Sequence, residues 1–177
     1  MFDEKDTWMA VTWESSDVRR WLNDDFLNTF NETDRARIVE TTVINNNNPW
    51  DFSDSGGYAS TPGGNDTTDR IFLLSIDDVL QYFGDSNLVA LGATMGARER
   101  DAHGQGLRRW GIYDRYNNAR ISQDSTGSVL SWWLRSSGHN SRLAAVVGTR
   151  GYLIVDGDSI INSNVGIRLA LWLSLES

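Results

Sequence analysis

Between Trp13 and Phe30 the apolar residues Val18, Trp21, Leu22, Phe26 and Phe30 recur at helical spacing, so "WESSDVRRWLNDDFLNTF" predicts an amphipathic helix. Ser15 or Ser16 can cap it, and Asp17 suits its positive end. Asn31 is placed to cap a short second helix, "ETDRARIV", with Glu32 and Asp34 in its first turn. The β-branched run "VETTVI" (39–44) predicts a strand, and "RIFLLS" (70–75) a buried one. Ser75 can then cap the helix "IDDVLQYF", which Gly84 ends. The C-terminal half changes period: "SVLSWWLRS" (128–136), "RLAAVVG", "GYLIV" and "GIRLALWLSL" read as strands, parted by Gly148, Gly151 and "DGDS". In the last of them Leu169, Leu171, Leu173 and Leu175 alternate with Ala170, Trp172 and Ser174. Period two with largely apolar residues on both faces predicts a strand inside the fold. Helices first and strands after give the class α+β.

Two polar stretches interrupt this pattern. Residues 45–69 read as a long loop with turn chemistry throughout, and 92–128 as an irregular excursion rich in Arg and Asp. The chain of 177 residues fits one domain, 1–177, with 40% hydrophobic residues and eight Trp to fill a core. A net charge of -8 argues against a general nucleic-acid binder, which needs a basic field. Lys5 is the only lysine, and the absence of cysteine removes disulfides, thiolate metal sites and cysteine nucleophiles. No stretch reaches the roughly 20 apolar residues of a membrane span. Asp3, Glu4 and Asp6 occupy the place where a signal peptide carries positive charge.

Candidate catalytic chemistry is thin. Of the two histidines, His103 lies in "HGQG", which suggests a glycine-rich oxyanion turn but comes without a G-x-S-x-G nucleophile elbow. "DGDSIIN" brings Asp156, Asp158 and Asn162 close together, yet its spacing is not an EF-hand loop and lacks the bidentate Glu. "NDTTD" (65–69) has the same character, a turn with solvated carboxylates being favoured over calcium in both. There is no P-loop and no dinucleotide fingerprint. The expectation is therefore a protein without catalytic residues, cofactor or metal.

Four segments together, "VTWESSDVRRWLNDDFLNTF", "GGNDTTDRIFLLS", "SWWLRSSG" and "GIRLALWLSLES", resemble a bacterial domain of unknown function. Its pattern runs W-E-x-S-x-x-R-x-W-L-N…F, G-N-x-T-x-D-x-I-F-L-L-S, W-W-L-R-S-P-G and G-V-R-P-A-L-W. Ser137 and Leu169 stand where proline is usual. The family usually carries a further strand ahead of the "VTWE" word, and "TWMAVTW" is expected to take its place beside the terminal strand. The last two words also look like those of the formylglycine-generating-enzyme type of C-type-lectin-like fold. That resemblance implies one C-type-lectin-like domain with N-terminal helices and a β-rich C-terminal half. It implies Trp132, Trp133, Arg135, Gly166, Arg168 and Trp172 as frame, and an enzyme activity that relies on cysteines this chain lacks. The expected core comprises Trp21, Leu22, Phe26, Phe72, Leu74, Trp132, Leu134 and Trp172, with Arg135 and Arg168 in buried or half-buried hydrogen bonds.

Some proteins of that fold are variable products of diversity-generating retroelements in bacteria and phages. There, Asn codons ending in a pyrimidine become any codon ending in a pyrimidine, and such codons never encode Lys, Glu, Gln, Met or Trp. From His139 to Val165 those five types are absent. Strands and turns favour the remaining residues too, so a variable and a non-variable domain of the same fold both stay open. The expected ligand surface within 139–165 comprises His139, Asn140, Ser141, Arg142, Thr149, Arg150, Tyr152, Asp156, Asp158, Ser159, Asn162, Ser163 and Asn164 as one contiguous exposed face. Its mixture of Tyr, Arg and short polar residues resembles a paratope. The expected partner is a protein or glycan on a cell surface, with no nucleic acid and no membrane insertion, and a setting at the cell surface, in secretion or in a phage particle. A structural surface or phage-tail component, and a hydrolytic or metal-dependent enzyme using His103, His139 and the Asp156–Asp158 turn, are the competing readings.

Overall fold

The computed structural model describes residues 1–4, 11–48, 62–84, 111–112, 114–140 and 142–175. Helix α1 (Asp17–Trp21) is capped by Ser16, whose hydroxyl accepts from the Arg19 N–H at 3.3 Å. The predicted helix does not run on evenly. It widens into a π turn (Leu22–Phe26) and tightens into a 3-10 turn (Leu27–Thr29). Asn23 sits at this widening. Its amide donates to the Arg19 carbonyl at 3.1 Å and across to the Ile71 carbonyl at 2.8 Å, while its oxygen accepts from the N–H groups of Arg70 and Ile71. A tertiary clasp thus draws on an acceptor that the α-helical ladder would use. Helix α2 (Glu32–Arg37) follows, capped as expected by Asn31 accepting from Asp34 at 2.9 Å.

The expected strand 39–44 is two strands divided at Glu40, each serving a different sheet. Strand β1 (Ile38–Val39) pairs with the terminal strand, and β2 (Thr41–Val43) pairs with β3 (Thr67–Asp69), inside the stretch expected as loop. Strand β4 (Ile71–Leu73) leads to α3 (Ile76–Phe83), whose Ser75 and Asp78 form a reciprocal capping box. Within and after the charged excursion come β5 (Gly111–Ile112), a short α4 (Asn117–Arg120), β6 (Ser122–Gln123) and β7 (Val129–Leu130). Strands β8 (Trp132–Ser137), β9 (Leu143–Val147), β10 (Leu153–Ser159) and β11 (Leu169–Leu173) complete the chain. Helices and antiparallel sheets together make the fold α+β.

The main sheet has the order β5-β10-β9-β8 and is covered on both faces. Strand alternation sends Trp133, Ala144, Val146 and Ile154 into one core with Phe2, Trp13 and Leu22. It sends Trp132, Leu134, Ala145, Val147, Leu153 and Val155 into a second core under α3. Opposite Ala145 both neighbours of β9 bulge, between Trp133 and Ser137 and between Ile154 and Asp158. The bulge in β8 turns the Arg135 N–H to the Leu74 carbonyl, 3.0 Å away, and so joins this sheet to the end of β4. Asn48 closes the bulges from outside, its amide donating to Ser137 O at 3.0 Å and Val155 O at 2.7 Å. Gly166 ties the closing word to β8 through Trp133 N–H to Gly166 O and Gly166 N–H to Ser131 O.

The second sheet has the order β1-β11-β4. Here three expectations fail. Strand β11 is central in its sheet, but its C-terminal end is uncovered on both faces: Trp172 is 52% exposed and Leu173, pointing the other way, 51%. Trp21, expected in the core, is 42% exposed and packs at the surface on Phe26 at 5.1 Å. The neighbours of β11 are β1 and β4, so "TWMAVTW" does not take that place; Val11–Trp13 form no strand, and 7–10 lie outside the described residues.

The words that carry the resemblance hold one another. Buried Asp69 accepts from Trp13 Nε1 at 2.9 Å, Arg19 Nε at 2.7 Å and Thr67 Oγ1 at 2.6 Å, and Glu14 receives the Asn65 amide. "NDTTD" is therefore a structural hub for the N-terminal segment. Arg135 fulfils its expected bonding: Nη1 donates to Leu73 O at 2.8 Å and pairs with Asp78, and Nη2 donates to Ile44 O at 3.0 Å. Arg168 does not match its expectation. Its guanidinium lies 4.8 Å from the Phe83 ring and 4.9 Å from that of Trp132, its Nη1 makes no hydrogen bond, and burial lowers its pKa.

Candidate functional site

The polar surface expected from 139–165 begins where β8 ends. Gly138 passes so close to β10 that a Cβ there would stand 2.6 Å from the Asp156 carbonyl oxygen, and its N–H donates to Leu143 O at 2.8 Å. The next residue bonds twice to the same carbonyl: the His139 N–H donates to Asp156 O at 3.1 Å, and His139 Nδ1 also lies 3.1 Å from it. A carbonyl only accepts, so this contact places the ring proton on Nδ1. His139 Nε2 then faces the Asn140 amide at 3.2 Å. Asn140 closes the turn, with Oδ1 accepting from the Arg142 N–H and its carbonyl accepting from the Leu143 N–H. The Ile160 N–H donates to Arg142 O at 2.9 Å, and the Phe2 N–H donates to Ile160 O at 2.8 Å. The turn is thereby locked to the N-terminal segment.

His139, Asn140, Arg142, Asp156, Asp158, Ser159 and Asn162 are half-buried here, and Ser163 and Asn164 are exposed. Asp158 Oδ1 accepts from the Ser159 N–H, and Asn162 Oδ1 from the Asn164 N–H. These nine residues gather around one end of the main sheet. The remaining expected residues do not join them. Thr149 and Arg150 are exposed at the β9–β10 turn, the far end of a five-residue strand about 16 Å long. Tyr152 is 6% exposed and belongs to the core, its ring lying over Gly148, where a Cβ would meet Cζ at 2.7 Å. The expectation of one contiguous exposed face is thus corrected to two ends of a hairpin. Antiparallel pairing sends the middle of the stretch inward and separates its termini. Ser141 and His103 lie outside the described residues.

His139 engages a backbone carbonyl and an amide, which orient its ring. Among the described residues no three His, Asp or Glu side chains gather as metal ligands. Burial accounts for part of the compositional gap, the missing Lys, Glu and Gln. Among the described residues, thirteen of the positions from 139 to 165 are buried, where Lys, Glu and Gln have no place.

A second concavity was not legible in the sequence. It measures about 480 Å³ and opens between the β2 end, α3 and β11. Phe72, Leu74 and Arg135 with Asp78 lie at its inner side; Thr41, Thr42, Val43 and Ile44 form one wall. Tyr82, Phe83, Leu171 and Trp172 form the other, with Tyr82 and Trp172 each 52% exposed. A tyrosine off the buried face of an amphipathic helix was the available signal, but it does not say what stands opposite.

Residues 2–175 match the model of one family, described as Domain of unknown function (DUF6273). No curated protein and no solved structure matches the chain.

Proposed function

The chain belongs to the DUF6273 family, and from that premise we propose that it is a non-catalytic ligand-binding module on a C-type-lectin-like scaffold of the formylglycine-generating-enzyme type. The ligand surface on this reading is the polar end of the main sheet, formed by His139, Asn140, Arg142, Asp156, Asp158, Ser159, Asn162, Ser163 and Asn164. One observation carries it: half-buried and exposed polar side chains on the end of β10 and in the turns beside it border strands whose interior is buried on both faces. Exposed positions on such a rim tolerate exchange because the strands beneath are packed by other residues. The partner is a protein or glycan at a cell surface. Diversification by a retroelement, if it operates on this chain, acts on these nine positions and leaves β9 and the buried half of β10 alone.

The test is binding of the labelled protein to a glycan microarray and to intact bacterial cells. Replacing Arg142, Asp158, Asn162 and Asn164 together by Ala should abolish the signal and leave the Tm within a few degrees. Replacing Thr149 and Arg150 should change neither. Equal binding by the first variant would sink the proposal. A reverse-transcriptase gene beside the coding locus, with a near-copy of its 3′ end, is the expected sign of diversification.

A second reading has its own observation. The uncovered end of β11, with Trp172 and Leu173, suits a structural component that buries it in an assembly. Sedimentation of the chain as a concentration-dependent oligomer, reversed by Trp172→Ser, is the outcome that would favour it.

A further inference from the structure

We propose that the cavity between β2, α3 and β11 binds a small, uncharged, flat apolar molecule, in the simplest case an aromatic one. This site is separate from the polar end of the main sheet and does not depend on the reading given for it.

Size comes first. About 480 Å³ lies within the range of about 300–1,000 Å³ that small-ligand pockets occupy. The lining is next. Val43, Ile44, Phe72, Leu74, Phe83 and Leu171 present carbon to the cavity, and Tyr82 and Trp172 stand at it more than half exposed. Large aromatic side chains left in water beside a concave apolar wall lose hydration cost when a flat apolar body covers them.

Charge decides the class. The only cation among the described lining residues, Arg135, is 7% exposed and paired: Asp78 neutralises it, and the carbonyls of Leu73 and Ile44 take further N–H groups. An anionic ligand would have to displace Asp78, which also serves the Ser75 capping box. A cationic ligand would face the guanidinium. The ion pair therefore presents no net charge, and it fixes the inner wall before any ligand arrives. Thr41 and Thr42, which carry neutral hydroxyls, also line the cavity.

Two fluorescent probes separate these possibilities. N-Phenyl-1-naphthylamine is uncharged, and 1-anilinonaphthalene-8-sulfonate carries a sulfonate on the same ring system. The uncharged probe should bind saturably, one per chain, with a Kd at least tenfold below that of the sulfonate. Tyr82→Ser and Trp172→Ser should each weaken it about tenfold at unchanged Tm. Thr42→Trp, which adds a ring at the wall of the cavity, should abolish binding in a folded chain. Val129→Ser, at an exposed apolar residue on β7, should leave it unchanged. Replacing Arg142, Asp158, Asn162 and Asn164 by Ala should also leave it unchanged, so failure of the polar surface and failure of this site are distinguishable. Equal affinity for the sulfonate, non-saturable binding, or full binding by the Thr42→Trp chain would overturn the proposal. So would loss of binding as the chain self-associates, which would make a second copy the occupant.

Discussion

Strands β9 and β11 invite comparison because both are apolar five-residue runs and both lie inside a sheet, "LAAVV" between β8 and β10 and "LALWL" between β1 and β4. Four of the five residues of β9 are fully buried, whereas in β11 none is. The difference lies in what the neighbouring elements bring. Ala144 and Ala145 are small enough for an aromatic core to close on one face and α3 on the other, and the bulges of β8 and β10 open around Ala145. Strand β11 has edge partners of two and three residues and leaves Trp172 half exposed. A central place in the hydrogen-bond ladder and burial of both faces are thus separate properties.

The sharpest way to break this comparison is to truncate one tryptophan in each sheet. Trp133→Ala removes a ring that packs on Phe2 at 5.6 Å and should cost about 3–5 kcal/mol in urea unfolding. Trp172→Ala should stay within about 0.5 kcal/mol, as exposed positions do. Similar losses in both would show that the face of β11 is covered in solution. The link between the two sheets comes next. Arg135→Met leaves Asp78 and the carbonyls of Leu73 and Ile44 without their donor and should cost about 3 kcal/mol, read from the same unfolding curves. Asn48→Ala frees the carbonyls of Ser137 and Val155 at the bulges and should cost about 2 kcal/mol. Neighbouring Asn46→Ala should cost little, because Asn46 is exposed.

The smallest effect belongs to a residue outside both sheets. Asp124, in the β6–β7 turn, accepts from the Thr126 hydroxyl and from the N–H groups of Ser128 and Thr126, which hold its pKa below the ordinary carboxylate value. A depressed folded value adds stability above the unfolded pKa, and that stability is lost as pH falls through the folded one. Asp124→Asn should therefore flatten the stability profile only below about pH 4. A changed slope near neutral pH would contradict this assignment.

Local chemistry was readable where a residue acts on its own neighbours. Ser16, Asn31 and Ser75 cap the helices the spacing places there, and Arg135 finds the buried partners a buried guanidinium requires. The polar end of the main sheet was readable as a set of residue types but not as a surface. Thr149, Arg150 and Tyr152 share the composition of the others, and only antiparallel pairing of β9 with β10 sets them apart. In the asparagine run, four like side chains carry no mark that Asn48 reaches two bulges while Asn46 faces solvent.

What this sequence determined by itself is the α+β order of elements, the helix caps and the apolar strands, because periodicity and capping act over a few residues. What only the tertiary structure decided is which apolar strand is covered, which tryptophans are core and where the cavity lies. Trp21 and Trp133 are equally hydrophobic, and their difference in burial comes from partners distant in the chain, Phe2 for one and solvent for the other. The cavity exists only because β2, α3 and β11 leave a gap between them, and a gap is a property of their packing that no single segment encodes.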